Sequence, residues 1–249
     1  MRALLQLSVT TLALICFGAV LYYVIPPVWH LKRDDIIIRN ADGISTRTVG
    51  LSSPSWTNLE DISKHTVHAF VAAEDGRFYQ HKGFDTLAIL ESMKKNLSEG
   101  KIVRGGSTIT QQVVKLAFLE QDRTFKRKSQ EILGALLLEA LLSKDEILSW
   151  YLNLVPLGKG LHGISSGAKA YYDTTPEILT IQESINLAII LPSPNKWSAG
   201  LKNKHLTDFG HKSYLKIINR MFDYGYITRD LRDSALATGD FGHPIKTEW

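Results

Sequence analysis

With 249 residues, 44% of them apolar and 22% charged, the chain is long enough to bury one sizeable core and too short for several. Its one cysteine, Cys16, excludes an intrachain disulfide and a cysteine-built metal site. The net charge is only +4, yet residues 94–128 hold nine basic residues against three acidic ones. That pattern implies an anionic ligand at one place and argues against a generally basic, nucleic-acid-coating surface.

Residues 3–25 carry no charge and are long enough to cross a bilayer as a helix, so residues 1–30 are expected to form an N-terminal transmembrane anchor. The run ends in Tyr22, Tyr23, Pro26, Pro27 and Trp29, which suits a membrane interface and lacks the small-residue exit of a cleaved leader. The flanking charges do not set its orientation. Residues 31–54 read as a connector with one strand candidate at Ile36, Ile37 and Ile38 and a helix start near Pro54, Ser55 and Trp56.

An apolar lead-in, residues 68–73, then delivers two adjacent carboxylates, Glu74 and Asp75. If the lead-in is helical, Phe70, Val71, Arg77 and Phe78 lie three or four positions from Glu74, giving its carboxyl an apolar surface and one cation. Desolvation raises a carboxyl pKa and a cation lowers it, which is how a general base is set. A solvated helix end explains the same two residues, and they alone leave both readings open. Leu87, Ile89, Leu90, Met93 and Leu97 then predict an amphipathic helix, followed by a glycine-rich loop at 98–106.

After Gly105 and Gly106 come Ser107, Thr108, Thr110, Gln111, Gln112 and Lys115. Glycines and a helix N-terminus admit an anion, while Ser and Thr are also ordinary caps, and the two uses are compatible. Arg127, Lys128 and Glu131 share one face at the start of a helix that is apolar on nearly all sides over 132–142, hence an expected buried central helix. Ser143 with Glu146 is a capping-box pattern, and Glu139 is assigned a structural part. The turn at 158–163 lacks the strand that a phosphate loop needs. Helices are expected at 165–172, 181–191 and through 206–236, so the fold class is mainly α.

Three ordered motifs stand out. They are Glu74-Asp75-x-x-Phe78-x-x-His81-x-Gly83-x-Asp85, the run from Gly105 to Gln112 with Lys115, and Arg127-Lys128-x-x-Glu131. Together with Ser143-Lys144-x-Glu146-Ile147-Leu148-x-x-Tyr151-Leu152-Asn153, Gly158, Gly163 and residues 183–194, this sequence resembles the peptidoglycan glycosyltransferases, glycosyltransferase family 51. It departs from their pattern at Leu116, Gly167, Asp173, Thr174 and Ala199.

The resemblance covers about residues 55–200, with 201–249 as a helical extension of the same domain. It implies a lysozyme-like α domain with a small membrane-facing jaw, on the outer side of the cytoplasmic membrane. The implied activity is polymerisation of lipid II into a glycan strand. Glu74 would be the base for the acceptor hydroxyl, and Glu131 a second catalytic carboxylate. Asp75, Phe78, His81, Ser107, Thr108, Gln111, Gln112, Lys115, Arg127 and Lys128 would bind substrate. No tightly bound cofactor is implied, a divalent cation (magnesium or manganese) at Glu131 being the one candidate. The implied partners are lipid II, the nascent strand, the cytoplasmic membrane and cell-wall synthesis or division proteins.

Ser-x-x-Lys spacings at Ser92, Ser193 and Ser213 have no accompanying Lys-Thr-Gly, so a transpeptidase is not expected and the chain reads as monofunctional. The alternatives are a membrane-anchored glycosidase using Glu74 as general acid, and a non-enzymatic anchor with a basic face.

Overall fold

The computed structural model describes residues 11, 25–39, 46–99, 106–119 and 124–241. Its helices, in chain order, are α1 (Lys64–Glu74), α2 (Thr86–Glu99), α3 (Ile109–Phe118), α4 (Phe125–Leu141), α5 (Lys144–Leu154), α6 (Ile164–Tyr172), α7 (Ile181–Ile189), α8 (Pro194–Lys202), α9 (Asp208–Asp223) and α10 (Arg229–Ala237). Two antiparallel ribbons accompany them, β1 (Ile36–Arg39) with β2 (Thr46–Val49) and β3 (Pro156–Gly158) with β4 (Leu161–His162). The fold is mainly helical, as expected.

The helix starts follow local chemistry. Thr108, Thr124, Ser143, Thr180, Thr207 and Thr228 each accept a backbone N–H of the first turn, and Ser143 with Glu146 closes the capping box read from the sequence. The segment near Pro54 to Trp56 is a turn, and the expected helix begins later, at Lys64. What fixes that segment is Asn153 on α5, which accepts from the Thr57 N–H and donates to the Thr57 carbonyl, both at 2.9 Å.

The core gathers where α1 packs on α7 and α9, and where α3 lies between α4 and α5. Phe70, Val71, Ile109, Val113, Leu148 and Leu187 are fully buried there. The connector is part of this body, and so is the end of the expected 1–30 anchor, where residues 28–30 belong to the folded domain. Val28 and Leu31 lie in the core, and the Trp150 indole donates to the Leu31 carbonyl at 3.0 Å.

One helix differs from expectation. The helix α4 buries Glu131, Gly134, Ala135 and Leu138 but leaves Ile132, Leu136 and Leu141 more than a third exposed. Only one of its faces meets α3, so it lies at the margin of the fold and not at the centre. On α2, the apolar stripe of Leu87, Leu90, Met93 and Leu97 points outward, more than half exposed at every position.

Among the described residues no helix is long and apolar enough to cross a membrane. The anchor expected over 3–25 lies outside the described residues, except for Thr11 and Ile25.

Candidate active site

Glu74 is the last residue of α1, and Asp75 leaves helical geometry while its N–H still closes on the Val71 carbonyl. The carboxylate stands on the floor of a cleft of about 550 Å³. One wall comes from the start of α3, where Thr108 caps the helix and Gln112 and Lys115 face Glu74. The Gln112 amide donates to Glu74 Oε2 at 2.7 Å. Burial pushes the Glu74 carboxyl above its usual range, opposed by that bond and by the charges of Lys115 and Arg220, while Asp75 adds to the push.

Arg77, expected beside Glu74, turns away to hold Asp85 through Nε at 2.7 Å and Nη2 at 3.1 Å. The helix ends before Arg77 and Phe78, so helical spacing does not govern either residue. Phe78, expected to touch substrate, is fully buried with the Lys144 ammonium 4.2 Å above its ring. It offers the cleft no surface, and its contribution is packing.

Asp75 and His81 form a brace behind the base. Asp75 accepts from the Ile109 N–H at 3.0 Å, and the His81 ring lies 2.9 Å from its Oδ1. Thr108 completes the tie by donating to the Gly83 carbonyl at 2.7 Å. The loop after α1 is thereby fixed to the N-terminus of α3.

The third motif packs beside the second. Glu131 is buried, with Oε1 held by Arg127 at 2.5 Å and Oε2 by Lys128 at 2.8 Å. The Lys128 ammonium also reaches Gln111 Oε1 at 2.9 Å and Ser107 Oγ at 3.2 Å. Burial lowers the Lys115 pKa, Glu131 and Glu74 pull it up, and Arg127 and Lys128 push it down, which places this ammonium electrostatically between the base and the cation cluster. Ser107 and Gly106 line both the Glu74 cleft and an adjoining apolar pocket bounded by Phe84, Met93, Lys128 and Ile132.

Residues 43–221 match the family described as Transglycosylase. The chain belongs to the transglycosylase family. Among relatives, the biosynthetic peptidoglycan transglycosylase of Paraburkholderia phytofirmans is 41% identical over 140 residues, covering 56% of this chain and 58% of that one. The protein of the same name from Nitrosomonas eutropha is 45% identical over 139 residues, 56% of this chain and 57% of its own. Penicillin-binding protein 1A of Aquifex aeolicus is 33% identical over 205 residues, 80% of this chain and 27% of that protein. The chain spans about three fifths of the length of the transglycosylases it matches.

Whether this transglycosylase site suits a resident divalent cation is decided by its donors. Glu131 has both oxygens committed to cations, and among the described residues no three His, Cys, Asp or Glu side chains gather to hold a metal. The cations Arg127, Lys128 and Lys115 around Glu131 fit an anionic ligand, and the described residues do not by themselves assemble a preformed all-protein metal site.

The far wall of the cleft was not read from the sequence. Lys216 and Arg220 on α9, and Tyr224 at its end, face Glu74 from the other side. The available signal was their spacing, since positions four apart share a helix face.

Proposed function

We propose that the protein polymerises peptidoglycan glycan strands from lipid II, a reading supported by relatives named biosynthetic peptidoglycan transglycosylase. Glu74 takes the proton of the acceptor 4-hydroxyl as that oxygen attacks the donor anomeric carbon. The bond from that carbon to the diphosphate breaks with inversion, leaving a β-1,4 glycosidic bond. The departing diphosphate keeps the bonding electrons, and Lys115, Arg127 and Lys128 meet its charge. Glu131 holds Arg127 and Lys128 in place, which makes it a positioning residue in this reading.

The observation that carries the reading is a partly buried carboxylate, Glu74, in a cleft lined by Lys115, Lys216 and Arg220, with the Arg127–Lys128–Glu131 cluster next to it on α4. A glycosidase needs a second carboxylate for water or for the sugar. Neighbouring Asp75 is committed to His81 and the Ile109 N–H, and hydrolysis leaves no diphosphate for the cations to bind. The exposed stripe on α2 and the apolar pocket beside Lys128 suit the polyprenyl chain and a jaw facing the membrane. We place the domain on the outer side of the cytoplasmic membrane behind a single anchor, on the strength of residues 3–25 and the substrate's location.

Labelled lipid II incubated with the purified protein is expected to give long glycan polymer. Glu74→Gln keeps shape and one acceptor oxygen but cannot take a proton, so turnover falls by about 10²–10⁴-fold while lipid II binding persists. Shortened glycan from a preformed strand would favour the glycosidase, and a Glu74→Gln enzyme within a few-fold of wild type would remove the base assignment.

A further inference from the structure

The turn that carries Glu74 is gripped from the far wall of the cleft by the end of α9 and the residues after it. Arg220 Nη1 donates to the Ala73 carbonyl at 3.0 Å. The Tyr224 ring lies so close over Gly76 that a Cβ there would stand 2.1 Å from it, so any larger residue would have to displace the ring. Tyr226 donates its hydroxyl to the Gly76 carbonyl at 3.3 Å and stacks on His68 of α1 with ring centroids 4.7 Å apart. Arg220 in turn lies 5.6 Å from the Tyr224 ring centre, so the parts of the grip brace one another.

The position is electrostatically particular. The last carbonyls of α1 have no partner within the helix, and the negative end of its dipole falls where Glu74 must ionise. Arg220 satisfies one of those carbonyls and places a cation at that end.

We infer that α9 is a clamp on the base-bearing turn, and that Arg220 is the positioning residue that holds the Ala73–Gly76 backbone and supplies the charge under which Glu74 works. The inference rests on the assignment of Glu74 as the base.

Other charged groups reach Glu74. Lys115 and the amide of Gln112 face it from α3. Asp75 adjoins it, and Lys216, Arg77, Asp85 and Glu91 line the same cleft. The buried Tyr151 of α5 feels its charge. The helix α7, packed along α1, carries only Glu183, held at its N-terminal cap by Thr180. Of the two cations that draw the Glu74 pKa down, Arg220 alone also touches the backbone beside it. Its removal therefore changes both charge and position.

The test is the pH dependence of kcat and KM for the full chain with labelled lipid II, comparing wild type with Arg220→Gln, Arg220→Lys and Glu74→Gln, each checked by circular dichroism. Arg220→Gln is expected to move the acid limb of kcat to higher pH by about one unit, because one cation near a partly buried carboxylate has been lost. KM is expected to stay within two-fold. Arg220→Lys, which retains the charge, is expected to keep the limb near its wild-type position.

An unmoved limb in folded Arg220→Gln, or a loss confined to KM, overturns the inference. Should Arg220→Gln fail to fold, the lysine variant decides: a limb displaced despite the retained charge overturns it, and a wild-type limb supports it. Active Glu74→Gln would instead show that the base assignment, and the inference with it, is wrong. Inactive Glu74→Gln together with an unmoved limb in folded Arg220→Gln overturns the inference and leaves the base assignment standing.

Discussion

A carboxylate that ends a helix and is withdrawn from water resists ionisation twice over, and Glu74 is ionisable because Gln112, Lys115 and Arg220 surround it. Its raised pKa has a consequence for stability whose sign is fixed by linkage. A carboxyl harder to ionise when folded contributes stability that is fully present below the unfolded pKa and is lost as pH rises through the folded one. Glu74→Gln is therefore expected to melt at a higher temperature than wild type at pH 7, with the gain shrinking as pH falls toward 4. Equal melting temperatures across that range would mean that the carboxyl is not strained. The cations opposite it make a second prediction. Arg127→Ala and Lys128→Ala are expected to raise KM for lipid II several-fold and to flatten its dependence on ionic strength, because charge-assisted recognition of a diphosphate is screened by salt. Unchanged KM from 50 to 300 mM salt would remove these side chains from leaving-group binding; those concentrations span roughly the range over which the Debye length falls below 10 Å.

At the scale of elements, α3 organises the site, since its first turn binds the base loop and its next residues face both carboxylates. Thr108 connects the two by capping α3 and donating to the Gly83 carbonyl while buried. Thr108→Ala leaves that carbonyl and a first-turn N–H without partners, a cost of about 1–3 kcal/mol in urea unfolding, and Thr108→Ser is expected to recover most of it. A difference below about 0.5 kcal/mol between alanine and serine would show that the cap is not holding the loop.

The caps at Thr108 and Ser143 were legible because capping is decided within four residues. Helix α2 was legible as a helix, but periodicity says only that it has two faces, and its apolar stripe is more than half exposed. The burial of Phe78 and the turning of Arg77 toward Asp85 were hidden by the end of α1 at Glu74, which sequence spacing alone does not mark. Arg220 was hidden for another reason. It bonds a main-chain oxygen 147 positions away, and a carbonyl has no residue-type signature.

At the scale of the whole molecule, the polar cleft, the apolar pocket and the α2 stripe adjoin one another. Gly106 and Ser107 belong to both cavities, and Met93 belongs to both the pocket and the stripe. Val28, at the end of the expected anchor, and Leu31, at the start of the connector, are seated in the core, so residues leading from the membrane-length run enter the same body that carries the cleft. A substrate with a charged diphosphate and a long apolar chain fits such a continuous surface, with its diphosphate at Lys128 and its chain along α2. Leu90→Glu and Leu97→Glu place charges on that path, and neither residue lines the Glu74 cleft or the pocket at Lys128. Both residues are already more than half exposed, so their loss should leave the fold intact. The paired variant is expected to raise KM for full-length lipid II about ten-fold while leaving KM for a short-chain analogue within two-fold. The basis is that each methylene of the long chain that stays in water forfeits about 0.8 kcal/mol, and a few suffice for that factor. Equal effects on the two substrates would place the chain elsewhere, and an effect larger on the short analogue would mean that the charges act on the cleft itself.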